Sequence, residues 1–184
     1  VTTPFMTKMM ATNLELYQAG EGVTASGVFY TAGSKYSIIA NPFASGWFSS
    51  TGSGITMGLI VAIMLFSKRD DFKAIAKLAI PCGLFNINEP IIFGIPMVMN
   101  AMFAVPFFLA PVACVCCGYL VQSLGLCPLF VIDVPWTTPV GLFGFLASSG
   151  NIMGAIWQVV IIVGVSTLIY TPFVIAANRQ ETAA

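Results

Sequence analysis

The sequence predicts an all-α membrane protein made of transmembrane helices and two re-entrant hairpins or broken helices. Three observations predict it. Of its 184 residues 58% are hydrophobic and 8% charged, with a mean hydropathy of +0.92, whereas a soluble domain carries about 25% charged residues. Residues 97–124 and 152–177 are uncharged runs long enough to cross a hydrocarbon layer about 30 Å thick. Two further apolar stretches, 78–96 and 127–151, hold too many prolines and glycines to be straight helices. Lys plus Arg and Asp plus Glu both number 7, so no basic field points to nucleic acid.

In chain order, residues 1–50 form an amino-terminal helix and loop region, and residues 51–184 a carboxyl-terminal membrane domain. Met6 to Tyr17 has amphipathic character and reads as a helix followed by a loop. Val1-Thr2-Thr3-Pro4-Phe5 offers neither an initiator methionine nor a signal peptide, so the chain is expected to be a piece of something longer. Pro42 and Gly46 punctuate the next stretch, and Trp47-Phe48 supply aromatic anchoring for a membrane interface. Residues 50–66 carry no charge and reach the lower limit for a spanning helix. Gly52, Gly54 and Gly58 with Ser49, Ser50 and Ser53 give its first half the small-residue character of close helix packing, or of unwound backbone along a cavity.

Lys68, Arg69, Lys73 and Lys77 concentrate four of the seven basic residues in one loop, which the positive-inside rule makes cytoplasmic. Such a loop either fixes topology or docks a soluble partner. Arg179 puts the carboxyl terminus on the same side. Residues 78–96 then dip from that side, broken by Pro81, Gly83, Pro90, Gly94 and Pro96. Because a residue before proline avoids the α region, Glu89 is expected to be extended, with Pro90 first in a half-helix. Residues 97–124 span with Pro106 and Pro111 as kinks, and residues 127–151 dip from the outside, carrying Asp133 and Trp136. Residues 152–177 are the last span, and Asn178-Arg179-Gln180-Glu181 ends it in water. Paired interrupted segments are the strongest sequence pointer to a transporter's substrate site.

The stretch Phe85 to Gly94 carries the chemistry. Glu89 sits in an apolar run, where a charge costs about 2.5 to 3.5 kcal/mol near the bilayer centre and normally faces a cavity. Asn86 and Asn88 add two carboxamides, which donate and accept, to a carboxylate that only accepts. That set suits a polyhydroxylated ligand, and Trp136 offers a face on which a sugar ring stacks. The alternatives are structural: Asn86 and Asn88 capping half-helices, Glu89 satisfying backbone N–H groups, Trp136 as a belt residue and Asp133 at the outer surface. The five cysteines, Cys82, Cys114, Cys116, Cys117 and Cys127, read as small packing residues. With no histidine in the chain, neither a metal nor another cofactor is expected.

These residues resemble a known family: the membrane-spanning C component of the sugar phosphotransferase system, in its lactose, cellobiose and diacetylchitobiose branch. FNINEPIIFG at 85–94 is similar to the family's hallmark, and STGSGITMGL at 51–60, FSKRDDFKAIAKLAIPCG at 66–83, VPWTTPVGLFGFLASSGN at 134–151 and STLIYTPF at 166–173 support it. The resemblance covers essentially this whole chain, but only the carboxyl-terminal part of a family protein.

It implies a permease of the bacterial cell membrane that binds a disaccharide between its hairpins while the sugar is phosphorylated. Glu89 then orients or deprotonates the C6 hydroxyl, Asn86 binds sugar, and Trp136 stacks. The phosphoryl group comes from a separate B component, supplied through an A component, the phosphocarrier protein and phosphoenolpyruvate, so no residue of this chain needs to be phosphorylated. In the family the missing amino-terminal half supplies dimer contacts and a histidine near the glutamate. Other readings of this chain are a non-transporting remnant or assembly partner, and an ion-coupled symporter that uses Glu89 and Asp133.

Overall fold

A computed structural model describes residues 2–24, 27–31, 33–95, 97 and 101–182. Apart from one two-stranded ribbon the described architecture is helical. Helix α1 (Thr2–Gln18) is followed by a short hairpin of β1 (Val23–Thr24) and β2 (Gly27–Val28), paired antiparallel as Val23↔Val28 and Thr24↔Gly27. The sequence reading had only a loop there. Asn13 on α1 exchanges two hydrogen bonds with the Ser37 backbone, at 2.7 and 2.9 Å, and so fixes the return of the loop.

Helix α2 (Asn41–Trp47) ends in a residue whose expected role is wrong. Trp47 is no interface anchor: its side chain is fully buried and stacks on Phe130 with centroids 5.2 Å apart. Gly118 makes room for it, since a Cβ there would lie 2.4 Å from the indole.

The expected span 50–66 is corrected as well. Only α3 (Met57–Phe66) is helical, about 15 Å at 1.5 Å per residue and half of what a crossing needs. Residues 49–56 are unwound, with left-handed φ at Thr51 (63°), Gly52 (79°), Gly54 (79°) and Ile55 (50°). A count of uncharged residues cannot register this, because unwinding is stabilised by partners elsewhere in the chain. The Tyr170 hydroxyl donates to the Gly54 carbonyl at 2.7 Å, and the Thr56 hydroxyl to that of Thr51 at 3.2 Å.

Helix α4 (Asp70–Leu84) and α5 (Glu89–Gly94) form the first re-entrant hairpin. Asp70 and Asp71 lie in the first turn of α4, where acidic groups complement the helix dipole. Gly94 lets α5 fold back onto α4; a Cβ there would stand 2.5 Å from Ile75. Glu89 is not extended as expected. It is the first residue of α5, and Pro90, tolerated in a first turn because its missing N–H needs no partner there, is the second. Pro96 and residues 98–100, at the junction of hairpin and next span, lie outside the described residues.

Helix α6 (Ala101–Ser123) is the second expected span, and Phe103 near its start meets Phe72 of α4, so the hairpin returns to the side it left. Residues 127–141 then run without helix, Val131 and Ile132 donating to the Ala147 carbonyl, before α7 (Leu142–Ala147). The second broken element is therefore an extended leg and one short helix.

The last rod runs unbroken through α8 (Ile152–Val159), a π-helical stretch (Val160–Val165) and α9 (Ser166–Thr182). It continues past the expected end at residue 177, and Asn178 is structural instead of simply hydrated. Its amide donates to the Phe66 carbonyl at 2.9 Å and accepts from the Lys68 N–H at 2.9 Å, clamping the end of α3. The expected basic loop is only partly a loop, since Lys73 and Lys77 lie on α4; Lys68 and the end of α9 share one face, the one expected to be cytoplasmic. Two apolar clusters fill the interior, one around Trp47, Phe130, Phe143 and Ile161, the other around Ile63, Ile91, Phe103 and Tyr170.

Candidate functional site

The unwound segment 49–56, the hairpin tip 85–89 and the loop at Trp136 converge on the middle of α6. Between them is a cavity of about 570 Å³. Its polar wall is formed by Ser49, Ser53, Asn86, Asn88 and Glu89; Phe48, Phe107, Phe108 and Trp136 supply aromatic surface. The volume falls within the range of about 300 to 1,000 Å³ usual for small-molecule sites, where a few polar groups sit in an apolar lining.

The three polar residues of the tip do different things. Asn86 is 7% exposed and occupies a left-handed conformation (φ 64°), which asparagine tolerates better than other side-chain-bearing residues. Its Oδ1 accepts from the Thr51 N–H at 2.8 Å, and its Nδ2 donates to the carbonyls of Thr138, at 3.0 Å, and Trp136. One carboxamide therefore joins the hairpin tip to both other walls. Asn88 precedes α5 without capping it by its side chain; its Nδ2 donates to the Ser53 carbonyl at 2.6 Å. Gly52 is needed beside it, since a Cβ would come within 2.5 Å of the Asn88 amide. Neither asparagine caps a half-helix by its side chain, as one sequence reading had it.

Glu89 is different. It is exposed to the cavity, and among the described residues its carboxylate has no hydrogen bond or ion pair. The structural alternative, in which it satisfies nearby backbone N–H groups, does not hold. The Ser49 and Ser53 hydroxyls are likewise exposed and unengaged. The site therefore presents a free carboxylate, two free hydroxyls and the Oδ1 of Asn88, all able to pair with ligand hydroxyls.

Trp136 is 64% exposed at the cavity edge. Asp133 is exposed and does not line the cavity, so the structure does not bring it to Glu89. Sequence reasoning missed the wall contributed by α6. Phe107 and Phe108 stood in the longest apolar run, where nothing separates a lipid-facing ring from one that faces a cavity.

The family follows from the comparisons. A family model described as "Phosphotransferase system, EIIC" matches residues 1–111. The chain belongs to this EIIC family. Among EIIC relatives, the PTS system cellobiose-specific EIIC component of Lactococcus lactis is 41% identical over 138 residues, which is 75% of this chain and 27% of that protein. The PTS system oligo-beta-mannoside-specific EIIC component of Bacillus subtilis is 33% identical over 185 residues, 100% of this chain and 39% of the relative. Among solved EIIC structures, the transporter ChbC, the IIC component of the N,N'-diacetylchitobiose-specific phosphotransferase system, superposes with a TM-score of 0.84 at 32% identity, over 98% of this chain and 39% of that one. The chain thus spans between a quarter and two fifths of the length of these EIIC proteins. The all-α membrane fold read from composition and broken segments stands.

Proposed function

We propose that the cavity binds a β-linked disaccharide of the cellobiose type and that the chain takes part in carrying it across the bacterial cell membrane as the sugar is phosphorylated. The observation that carries this reading is the carboxylate of Glu89, unspent on the protein and next to an aromatic wall. Glu89 accepts a hydrogen bond from the sugar's C6 hydroxyl and orients it, or removes its proton, as a separate B component presents the phosphoryl group. Phosphoryl transfer depends chiefly on such positioning and on charge stabilisation. Trp136 stacks on a sugar ring. Asn88 accepts from a sugar hydroxyl through its Oδ1. Asn86 contributes what acceptor capacity its three protein contacts leave.

Names among the relatives support the substrate class: cellobiose, oligo-beta-mannoside and N,N'-diacetylchitobiose. Relatives named lactose-specific EIICB components support the B partner. In this reading the basic loop around Lys68 to Lys77 lies near the B component, which is recharged through an A component, the phosphocarrier protein and phosphoenolpyruvate. A homodimer belongs to this reading only for a full-length permease.

The test uses membranes from cells expressing the gene at its native locus, given labelled cellobiose and phosphoenolpyruvate. Glu89→Gln should lower cellobiose phosphate formation by about 100-fold or more, the usual size of a lost acid–base group, while the protein stays in the membrane. Equal activity in wild type and variant would remove Glu89 from the mechanism. Uptake driven by a pH gradient without phosphoenolpyruvate would favour ion-coupled symport.

A further inference from the structure

Gln158 lies in α8, near the start of the last rod, is fully buried, and has no counterpart in the chemistry described so far. Its carboxamide is used at both ends. Oε1 accepts from the N–H groups of Gly141, at 2.9 Å, and Gly144, at 2.7 Å, at the start of α7. Nε2 donates to the Gly46 carbonyl and to the Ser50 hydroxyl, each at 3.2 Å, where α2 gives way to the unwound segment. The Ser50 hydroxyl itself donates to Gly46 at 2.7 Å, leaving its lone pairs for Gln158.

The segments joined by Gln158 are those joined by Asn86. Asn86 ties Thr51 to Trp136 and Thr138; Gln158 ties Gly46 and Ser50 to Gly141 and Gly144. One carboxamide comes from the hairpin tip and the other from α8, and they close a ring, Asn86–Thr51–Ser50–Gln158–Gly141–Thr138, through short stretches of backbone. Two unwound segments held at one point can hinge about it. Held at two points, they keep the Ser49–Ser53 wall and the Trp136 wall of the cavity at a fixed separation.

We propose that Gln158 is a positioning residue for the sugar site, acting by locking the two unwound walls of the cavity against each other. It touches no substrate. This deepens the disaccharide reading and rests on it, but the mechanical part has its own readout. Amides in 48–54 are not partners of Gln158; the Thr51 N–H is held by Asn86, and that of Gly52 by the Ser49 carbonyl. A local role for Gln158 would leave their exchange unchanged. A positioning role predicts that it rises.

Hydrogen–deuterium exchange on the protein purified from membranes, with a cellobiose titration of the same samples, tests this. Gln158→Leu should exchange at least 10-fold faster in peptides covering both 48–54 and 136–144, and should bind cellobiose at least 10-fold more weakly. Ser50→Ala, which removes one tie and leaves the Gln158 side chain in place, should show a smaller change of the same kind and serves if Gln158→Leu does not fold. Faster exchange confined to 136–144, or faster exchange in both segments with unchanged cellobiose affinity, would overturn the proposal. A wild type that fails to bind cellobiose, with exchange rising in both segments of the variant, would uphold the lock and reject the disaccharide reading.

Discussion

At the scale of single residues, the polar cluster of the hairpin tip was legible because three hydrogen-bonding side chains stand in an apolar run. The division of labour among them was not. The partners of Asn86 lie 35, 50 and 52 residues away, and no local pattern announces them. Asn86→Ala leaves the buried Thr51 N–H unpaired and frees two part-buried carbonyls, so a loss of about 1 to 3 kcal/mol is expected in a thermal melt of the detergent-solubilised protein. Asn86→Asp keeps the acceptor for Thr51 but turns an anion toward two carbonyl oxygens. It should be no more stable than the alanine variant, and a melt near the wild-type midpoint would show that the tip is not held this way.

At the scale of elements, α6 and the last rod were readable from length and hydropathy alone, and both broken segments from their prolines and glycines. What failed was the first span, where the apolar count ran on through 50–56 although the backbone there is left-handed at four positions. The glycines carry that shape. Gly52→Ala would drive a Cβ into the Asn88 amide and Gly54→Ala one into the Phe107 ring, 2.3 Å away, both at positive φ. Each should cost about 1 to 3 kcal/mol by overpacking alone. Gly164→Ala is the control: nothing lies within 4 Å of its added methyl, and helix propensity makes the change neutral or favourable by up to about 1 kcal/mol. Equal melting of the three variants would remove the steric explanation.

The start of α4 adds a pH-dependent contribution. A hydrogen bond from the Arg69 guanidinium holds the Asp71 carboxyl below its ordinary range. A depressed folded-state pKa adds stability that is complete above the ordinary aspartate value of about 3.9 and is lost as the pH falls through the lower, folded value. Both groups are partly in water, so the contribution stays below about 1 kcal/mol. Melts of Asp71→Asn and wild type should differ slightly at neutral pH and converge in acid.

At the scale of the molecule, the expected sidedness came from four cations, Lys68 and Arg69 in the link after α3 and Lys73 and Lys77 on α4, and Asn178 ties that link to the far end of the chain. The amino-terminal helix and ribbon pack at the opposite end, where the Val28 carbonyl accepts from the Leu129 N–H. A membrane-impermeant maleimide should therefore label Lys77→Cys only from the cytoplasmic face and Lys35→Cys only from outside. Labelling of both from one face would abolish this topology, and labelling of each from the other face would invert it. The membrane setting is legible in composition alone. The cavity was less legible, because Phe107 and Phe108 acquire their meaning only when 49–56 unwinds opposite them, and that unwinding depends on Tyr170, Asn86 and Asn88 together.

The long reach of these contacts also bears on how the protein is made. Tyr170 meets Gly54 across 116 residues, and Asn178 meets Phe66 across 112. A ribosome adding about 5 to 20 residues per second finishes the last helix roughly 5 to 25 seconds after the short first span has emerged. During that interval α3 is too short to cross alone, and the unwound turn ahead of it lacks the hydroxyl that will later cap it. Within this stretch of chain α3 is made before the residues that hold it, and so reaches its native surroundings only after they have emerged.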